Sequence, residues 1–217
     1  MEIQSEMEHL DGISTTRTIA SEVALFPVFL NLTDRPVVLV GGGAVAFAKL
    51  GELVRAGARV TVVAPEIRHE IASFEGLIIV QREFIPRDLD AAWFVVAAAS
   101  PEVNRRVAAA AEERRVFVNS VDDAAGASAY AGGVFRRGGV TIAVSSEGRA
   151  PALAGLLREG LEALVPDDVE TWVLAARRLR HEQRAAGIPM GERRPLLLQA
   201  LNRLYAGRGI EPAELTS

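Results

Sequence analysis

Residues 36–64 read PVVLVGGGAVAFAKLGELVRAGARVTVVA, and this stretch decides the fold. Residues 36–41 form a short β-branched run, which is typical of a strand buried on both faces. Residues 44–56 then show helical spacing and end at Gly57, a residue that commonly closes a helix. Because residues 59–64 form a second β-branched run, the stretch predicts two parallel strands joined by a helix with a right-handed crossover.

The alternation of strands and helices continues through the first half of the chain. Further strands are predicted at residues 77–80, 93–98 and 116–119. A helix is predicted at residues 101–114, where Pro101 falls in the first turn and its missing N–H costs no hydrogen bond. The first half therefore predicts an α/β fold, a Rossmann-type doubly wound parallel sheet.

The second half has a different pattern. Two short strands are predicted at 134–137 and 140–144 around Gly138-Gly139, which indicates a hairpin and makes a small α+β region. A C-terminal helical region follows. Its helices are predicted at 151–164, from 166 to about 186, and at 195–206, with Gly187, Pro189 and Gly191 as the break before the last helix.

Composition and charge exclude several classes of protein. Hydrophobic residues make up 49% and charged residues 24% of the 217 residues, as in an ordinary folded protein. The formal charge of −4 argues against an electrostatic binder of nucleic acid or membranes. The lack of Cys excludes disulfides, thiolate metal sites and cysteine nucleophiles. Neither a signal peptide nor a membrane-spanning run is visible, which predicts a cytoplasmic protein.

The charge is distributed unevenly. The first 25 residues hold five acids and one base, and they are interpreted as a flexible N-terminal extension. Residues 104–158 carry a net charge of +3 and residues 169–210 a net charge of +5. An anionic small ligand is therefore compatible with the folded part of the chain.

Residues 41–46 (GGGAVA) match the dinucleotide pattern G-x-G-x-x-A between a strand and a helix. Gly41 would make the tight turn, and Gly43 would let a pyrophosphate approach the backbone. The anion would then meet the free N–H groups at the helix start, around Ala44 and Val45. This context predicts a dinucleotide cofactor.

The end of the second strand predicts the contact to the cofactor's ribose. Ala64 ends the strand, and Pro65 and Glu66 follow it. Glu66 is the candidate for binding the 2′-hydroxyl, and a solvated glutamate at a helix start is the other interpretation. Arg68 leaves NADP open, but NAD is expected because an acid would repel a 2′-phosphate.

Few residues suit carbonyl chemistry, which usually needs His, Lys or Tyr. His9, His69 and His181 lie away from the predicted strand ends, and each is interpreted as a surface histidine. Tyr130 is the tyrosine near the predicted cleft. Lys49, the sole lysine, is interpreted as structural or cofactor-adjacent.

The segment Asn119-Ser120-Val121-Asp122-Asp123 lies at the carboxyl end of the fifth predicted strand. Open α/β sheets bind ligands there, so a carboxylate in this segment is a candidate for proton transfer or metal contact. An N-cap or turn aspartate is the alternative. No resident metal site is predicted.

Several segments together resemble the siroheme synthase N-terminal module, the family of precorrin-2 dehydrogenase and often also sirohydrochlorin ferrochelatase. The resemblance spans residues 26–206 in order. It rests on FPVFL (26–30), VLVGGGAVA (38–46), GARVTVVAPE (57–66), VNRRVAAAA (103–111), NSVDD (119–123), IAVSSEGRAPALAGLLRE (142–159) and GERR (191–194).

The resemblance implies NAD-dependent oxidation of precorrin-2 to sirohydrochlorin, and in bifunctional members insertion of ferrous iron. It places the family's key aspartate at Asp122, as a general base or proton shuttle. It also implies a homodimer, in which residues 121–150 interlock with the partner. The chain is predicted to have four parts, without the methyltransferase domain that some members carry. The parts are an extension (1–25), an NAD-binding domain (26–120), a dimerisation and active-site region (121–150) and a C-terminal helical region (151–217).

An octacarboxylate substrate needs cationic and hydrogen-bonding surroundings, and Arg can bind two carboxylate oxygens at once. The candidates for substrate binding are Asn119, Ser145, Ser146, Arg137 and Arg149. A turn hydroxyl is the other interpretation of Ser145 and Ser146. Arg106, Arg136, Arg193 and Arg194 lie in the same basic stretches, and each arginine is alternatively a solvated surface charge.

Four residues depart from the family's pattern: Ala44, Ala48, Glu147 and Ala150. Glu147 would bring a carboxylate near an anionic substrate. This carboxylate would weaken substrate binding, or mark a homologue with an altered tetrapyrrole or without the chelatase step. The alternative function is a regulatory dimer that senses NAD and has kept the fold without turnover.

Overall fold

The computed structural model describes residues 24–121, 123 and 125–206, with side chains described as far as Arg203. The chain divides into two units, Met1–Asn31 and Leu32–Ser217. The described residues of the first unit, 24–31, contain no helix or strand. All of the elements below belong to the second unit.

The second unit is built on a five-stranded parallel sheet. Its strands are β1 (Pro36–Val40), β2 (Arg59–Val63), β3 (Ile78–Val80), β4 (Phe94–Ala97) and β5 (Phe117–Ser120). Their spatial order is β3-β2-β1-β4-β5. The chain therefore moves outward from β1 to one edge and then continues on the other side of β1, so a crevice for ligands is expected between β1 and β4. The predicted doubly wound sheet is confirmed, with strand ends within one residue of the predicted ends.

Helices cover both faces of this sheet because β1 alternates its side chains between two cores. Three helices connect the strands, α1 (Ala44–Arg55), α2 (His69–Ala72) and α3 (Pro101–Arg114), with a short 3₁₀ helix at Pro86–Leu89. Val38 packs in one buried cluster with Val107 of α3. Leu39 packs in a second buried cluster with Leu50 of α1. Burial of each leucine stabilises the fold by about 1.5–3 kcal/mol.

The rest of the unit is a hairpin and three helices. Strands β6 (Gly133–Arg137) and β7 (Val140–Val144) pair antiparallel. The turn residues Gly138 and Gly139 have φ values of 51° and 83°, which two-residue hairpin turns require. The helices are α4 (Pro151–Leu164), α5 (Val169–Ala185) and α6 (Met190–Ala206).

Helix α6 begins five residues before the predicted start at Pro195. The Glu192 N–H donates to the Pro189 carbonyl at 3.1 Å, and Arg193 Nε donates to the Ile188 carbonyl at 2.9 Å. These bonds close the first turn. Pro195 lies within the helix and removes one backbone hydrogen bond, and Gly191 does not interrupt it.

Candidate active site

The turn between β1 and α1 requires glycine at its first two positions. Gly41 has φ 130°, and a Cβ there would lie 2.2 Å from the Ala98 carbonyl oxygen. A Cβ at Gly42 would lie 1.9 Å from the Glu66 carbonyl oxygen. At Gly43 a Cβ would meet nothing within 4 Å. The turn is therefore packed against the ends of β4 and β2 on one side and open at Gly43.

The start of α1 leaves backbone donors for an anion. Gly43 is the N-cap and offers no side-chain hydrogen bond, and the first turn contains no acid. Ala44 and Val45 are exposed, whereas Ala46 is fully buried against the sheet. The first N–H groups of a helix have no partners within the helix, and its dipole favours negative charge there. The open, uncapped start fits the pyrophosphate of a dinucleotide.

The segment after β2 lies beside this turn. Ala64 is buried, and Pro65 and Glu66 are exposed. The Arg68 N–H donates to the Gly42 carbonyl at 3.0 Å, which fixes the segment to the glycine turn. Glu66 therefore lies where a ribose-binding acid is expected.

Arg68 already has a partner in this segment. Its Nη2 lies 2.5 Å from Oε1 of Glu70, and both side chains are 46% exposed. The hydrogen bond from Arg68 is the main cause that lowers the pKa of the Glu70 carboxyl to about 2, and Glu70 in turn raises the pKa of Arg68. The positive charge of Arg68 is therefore compensated by the negative charge of Glu70 at ordinary pH.

Strand register brings the glycine turn close to the end of β5. Val40 pairs with Ala97 of β4, and Ala97 pairs with Ser120 of β5. Neighbouring strands lie about 4.8 Å apart, so Ser120 is about 10 Å from the residue that precedes the glycine turn. A ligand at the end of β5 would thus adjoin a dinucleotide at α1.

A cavity of about 480 Å³ lies at this end of β5. Its wall combines polar side chains with small residues of the hairpin and of the start of α4. The residues that line it are Lys49, Asn119, Ser120, Val121, Asp123, Ala127, Tyr130, Ala131, Gly132, Gly133, Val144, Ser145, Ser146, Gly148, Pro151 and Ala154. Of the predicted substrate-binding residues, Asn119, Ser145 and Ser146 are brought together here.

The end of β5 is held by the segment that follows it. Val118 N–H donates to the Ser128 hydroxyl, and Ser128 N–H and Ala129 N–H both donate to the Val118 carbonyl. Asn119 Nδ2 donates to the Ala129 carbonyl at 2.9 Å, so its orientation is fixed. The hydroxyl of Ser120 is buried and has no hydrogen-bond partner among the described residues.

In the loop from β7 to α4, two serine hydroxyls accept hydrogen bonds from backbone N–H groups of the same loop. The Ser145 hydroxyl accepts from the Glu147 N–H, and the Ser146 hydroxyl accepts from the Ala150 N–H, each at 3.1 Å. Glu147 has φ 57°, a conformation that favours glycine. Its carboxylate pairs with Arg149 at 3.0 Å. Neither Glu147 nor Arg149 lines the cavity, so the carboxylate of Glu147, which departs from the family's pattern, is compensated by Arg149 outside the cavity.

Arg137 lies away from the cavity. Its Nη1 donates to the Val165 carbonyl at 2.5 Å and lies 3.0 Å from Asp167. The guanidinium also lies 5.0 Å from the Phe135 ring centre. Arg137 thus joins the hairpin to the turn between α4 and α5, and it is not brought together with Asn119.

The predicted catalytic residue Asp122 lies outside the described residues. Its neighbour Asp123 lines the cavity, and Asp123 Oδ1 accepts from the Gly126 N–H at 3.1 Å. Asn104 of α3 is buried behind this segment. Its Oδ1 accepts from the Ala99 N–H at 2.9 Å, and its Nδ2 donates to the Val121 carbonyl at 3.3 Å. Asn104 therefore links the loops that follow β4 and β5.

Comparison with known proteins places these features in a family. A family model described as "Putative NAD(P)-binding" matches residues 28–133, and one described as "Sirohaem biosynthesis protein central" matches residues 137–164. A siroheme synthase of Aeromonas hydrophila is 42% identical over 172 residues, which are 77% of this chain and 37% of that protein. A siroheme synthase of Photorhabdus laumondii is 38% identical over 187 residues, 83% of this chain and 39% of that protein.

The chain belongs to the siroheme synthase N-terminal module family. The family resemblance and the nicotinamide dinucleotide as cofactor are thereby confirmed as predictions. The chain spans about two fifths of the length of the siroheme synthases that it matches. A solved structure described as SirC, precorrin-2 dehydrogenase, has the same fold, with a TM-score of 0.63 and 23% identity over 81% of this chain and 88% of that chain.

Among the residues that the structure describes, no group of three or more His, Cys, Asp or Glu side chains could hold a metal ion. Within the same residues, no helix is long and apolar enough to cross a membrane.

Sequence reasoning gave no substrate-binding role to three polar residues of this module. Asn104 and Ser120 lie within segments that carry the family resemblance, but neither was assigned a role. Lys49 was interpreted as structural or cofactor-adjacent, and it lines the cavity. The signal for Lys49 was its uniqueness, and the signal for Ser120 was its position at the end of a buried strand.

Proposed function

We propose that this chain oxidises precorrin-2 to sirohydrochlorin with NAD as the oxidant. The observation that carries the proposal is the cavity at the end of β5, which adjoins the glycine turn in a member of the siroheme synthase family. Its volume of about 480 Å³ suits part of a large macrocycle. Its small and polar lining suits an acidic substrate better than an apolar one.

The reaction removes two hydrogens from the macrocycle, one as hydride and one as a proton. NAD, when bound at the glycine turn, would supply the acceptor for the hydride. Asp122 takes the proton in this proposal, as the family resemblance implies. No carbonyl oxygen needs polarising, which agrees with the lack of histidine among the described residues that line the cavity.

The substrate is proposed to bind along the loop from β7 to α4 and at the end of β5. Asn119 has a fixed amide whose oxygen is available to a pyrrole N–H. Ser145 and Ser146 accept backbone hydrogen bonds, and each hydroxyl still has a proton to donate. Arg149 belongs to this loop and is paired with Glu147. Arg137 is given no part in binding because Val165 and Asp167 hold its guanidinium.

NAD is proposed over NADP on two grounds. Glu66 lies beside the glycine turn, and its carboxylate would accept a hydrogen bond from the ribose 2′-hydroxyl and repel a 2′-phosphate. Arg68, the nearby cation, is paired with Glu70. A homodimer and the use of ferrous iron as a second substrate belong to the same proposal, on the family resemblance.

The proposal is tested with purified chain, NAD and precorrin-2 under anaerobic conditions, with NADH formation as the signal. We expect Asp122→Asn to lower kcat by roughly 100-fold or more, the usual contribution of a general base, with NAD affinity within about twofold of wild type. Asp123→Asn is the matched control, since its amide oxygen can still accept the Gly126 hydrogen bond. Ferrous iron added afterwards, with siroheme absorbance as the signal, tests metal insertion.

Two outcomes would contradict the proposal. NAD binding without NADH formation in the wild-type chain would favour a regulatory dimer that senses NAD. A larger loss from Asp123→Asn than from Asp122→Asn would assign the proton transfer to Asp123 instead.

A further inference from the structure

We propose that Lys49 and Ser120 together form a carboxylate-binding subsite within the cavity. The ligand class is a carboxylate, such as one acid side chain of the tetrapyrrole. The inference rests on the proposed function and deepens it, because it names two residues that the family resemblance leaves without a role.

Lys49 is an uncompensated cation on the wall of the cavity. It is the one lysine among 24 basic residues, and it is partly buried on α1. Among the described residues it takes part in no ion pair and no hydrogen bond, while many arginines are paired with acids. The paired arginines are Arg68, Arg82, Arg114, Arg137, Arg149, Arg158 and Arg178. A partly desolvated ammonium without a counter-ion is a strong site for an incoming carboxylate.

Ser120 supplies an independent observation. Its side chain is 6% exposed and lines the same cavity, yet its hydroxyl has no partner among the described residues. Buried hydroxyls in folded proteins nearly always have a partner. A carboxylate oxygen in the cavity would accept a hydrogen bond from this hydroxyl, and the ammonium of Lys49 would hold the same group. The one other unpaired buried side-chain atom that the structure describes is Nε2 of Gln183, which does not line the cavity.

The position of Lys49 predicts which ligand it serves. It is the sixth residue of α1, about 7.5 Å along the helix axis from Ala44. A carboxylate held there would anchor the macrocycle on the side of the cavity nearest the cofactor helix. The subsite should therefore affect affinity for the macrocycle and leave NAD affinity unchanged.

The test compares the binding of sirohydrochlorin, an octacarboxylate probe, to the full chain and its variants by absorbance titration. We expect Lys49→Ala to weaken binding by at least about tenfold and Ser120→Ala by about threefold to tenfold, as for charged and neutral hydrogen bonds. Lys49→Arg should restore part of the affinity. Arg55→Ala, which removes an exposed cation from the same helix, is the matched control and should change nothing.

A double-mutant cycle decides whether both residues hold one carboxylate. If they do, Lys49→Ala combined with Ser120→Ala should weaken binding by less than the product of the single effects. The melting temperature of ligand-free Ser120→Ala should equal or exceed that of the wild type, because the substitution removes an unpaired buried hydroxyl.

Failure of the subsite is distinguishable from failure of the proposed function. Unchanged affinity in Lys49→Ala and Ser120→Ala, with a wild type that binds sirohydrochlorin, overturns the subsite alone. Loss of NAD affinity in Lys49→Ala assigns the lysine to the cofactor and overturns it as well, and multiplicative effects in the cycle exclude a shared carboxylate. A wild type that neither binds sirohydrochlorin nor oxidises precorrin-2 overturns both proposals.

Discussion

At the scale of single residues, the cofactor turn is specified by close approaches between backbone atoms. The dinucleotide pattern names Gly41 and Gly43 and leaves Gly42 free. In this chain Gly42 is the most crowded of the three, because a Cβ there would lie 1.9 Å from the Glu66 carbonyl oxygen. Glu66, which is proposed to favour NAD over NADP, is thus packed against the turn that is proposed to bind the cofactor's phosphates.

A substitution at Glu70 tests the proposed preference for NAD over NADP. Glu70 holds Arg68 at 2.5 Å, and the Arg68 backbone is bonded to Gly42. Replacing Glu70 by Gln removes the negative charge that neutralises Arg68, and its guanidinium becomes able to bind a 2′-phosphate. We expect Glu70→Gln to improve NADP affinity by roughly threefold to tenfold, the range for an exposed charge-assisted contact. Titration of NADP and NAD by fluorescence measures the change.

Glu75→Gln is the matched control for this prediction, because it removes the same charge from an exposed position five residues further on. The pH dependence of the stabilisation by the Arg68–Glu70 pair follows from the pKa of the Glu70 carboxyl, which Arg68 lowers from 4.5 to about 2. The stabilising effect of the pair is complete above pH 4.5 and is lost as the pH falls toward 2. Equal NADP affinity in Glu70→Gln and wild type would show that Arg68 does not reach the cofactor.

At the scale of elements, Asn104 connects the helix α3 to the ends of two strands. It is 3% exposed, and its side-chain amide bonds to the Ala99 N–H and the Val121 carbonyl. These two backbone groups belong to the loops after β4 and β5. Val121, which lines the cavity, is therefore held in place from α3.

Asn104→Ala should destabilise the chain because it leaves both backbone groups without partners. We expect a loss of about 2–3 kcal/mol in the free energy of unfolding, which for a chain of this size lowers the melting temperature by roughly 4–12 °C. Denaturant titration and thermal melting measure these changes. Arg105→Ala, at the exposed neighbouring position, should shift neither by a measurable amount. A melting temperature equal to that of wild type would mean that water replaces the amide.

Most elements could be predicted from the sequence because their signals are local. The β-branched runs around Val38 and Val62 fix the strands, and Gly138-Gly139 fixes the hairpin turn. The start of α6 could not be predicted in this way. A helix beginning at Met190 depends on bonds to Pro189 and Ile188, and composition does not reveal those bonds.

The site was predictable in its outline but not in the partners of its charges. Asn119 lies at the carboxyl end of β5, where a doubly wound sheet is expected to bind ligands, and Ser145 and Ser146, which follow the hairpin, line the same cavity. Arg137 was grouped with them because it is a cation in a basic stretch. Its actual neighbours, Val165 and Asp167, come from the turn between two helices. Packing of those helices decides this contact, and sequence spacing does not encode it.

At the scale of the whole molecule, the net charge of a stretch is a poor guide to the positive charge at the cavity, because ion pairs compensate many of the arginines. The stretch 104–158 is basic by its count of residues, yet Arg114, Arg137, Arg149 and Arg158 in it are each paired with an acid. A surface ion pair contributes little to stability, but it does cancel the field of its cation at a distance. Free positive charge at the cavity is therefore better assigned to Lys49, which no acid pairs among the described residues.

The exposed apolar face of α4 is the surface expected to contact the partner in the proposed homodimer. Five of its leucines are well exposed, at positions that share one side of the helix. They are Leu153, Leu156, Leu157, Leu161 and Leu164. Contiguous exposed apolar surface marks an interaction site, and α4 follows directly on residues 121–150, the predicted dimerisation region.

A charge introduced on this face should break the dimer. In a twofold interface each substitution occurs twice, so Leu156→Glu would bury two carboxylates, at a cost of several kcal/mol. We expect the wild type to sediment as a dimer and Leu156→Glu as a monomer at the same micromolar concentration, as measured by sedimentation velocity. Ile78→Glu is the control, since Ile78 of β3 is 61% exposed and Leu156 is 65% exposed. A monomeric wild type, or equal dissociation by both variants, would mean that α4 does not hold the partner.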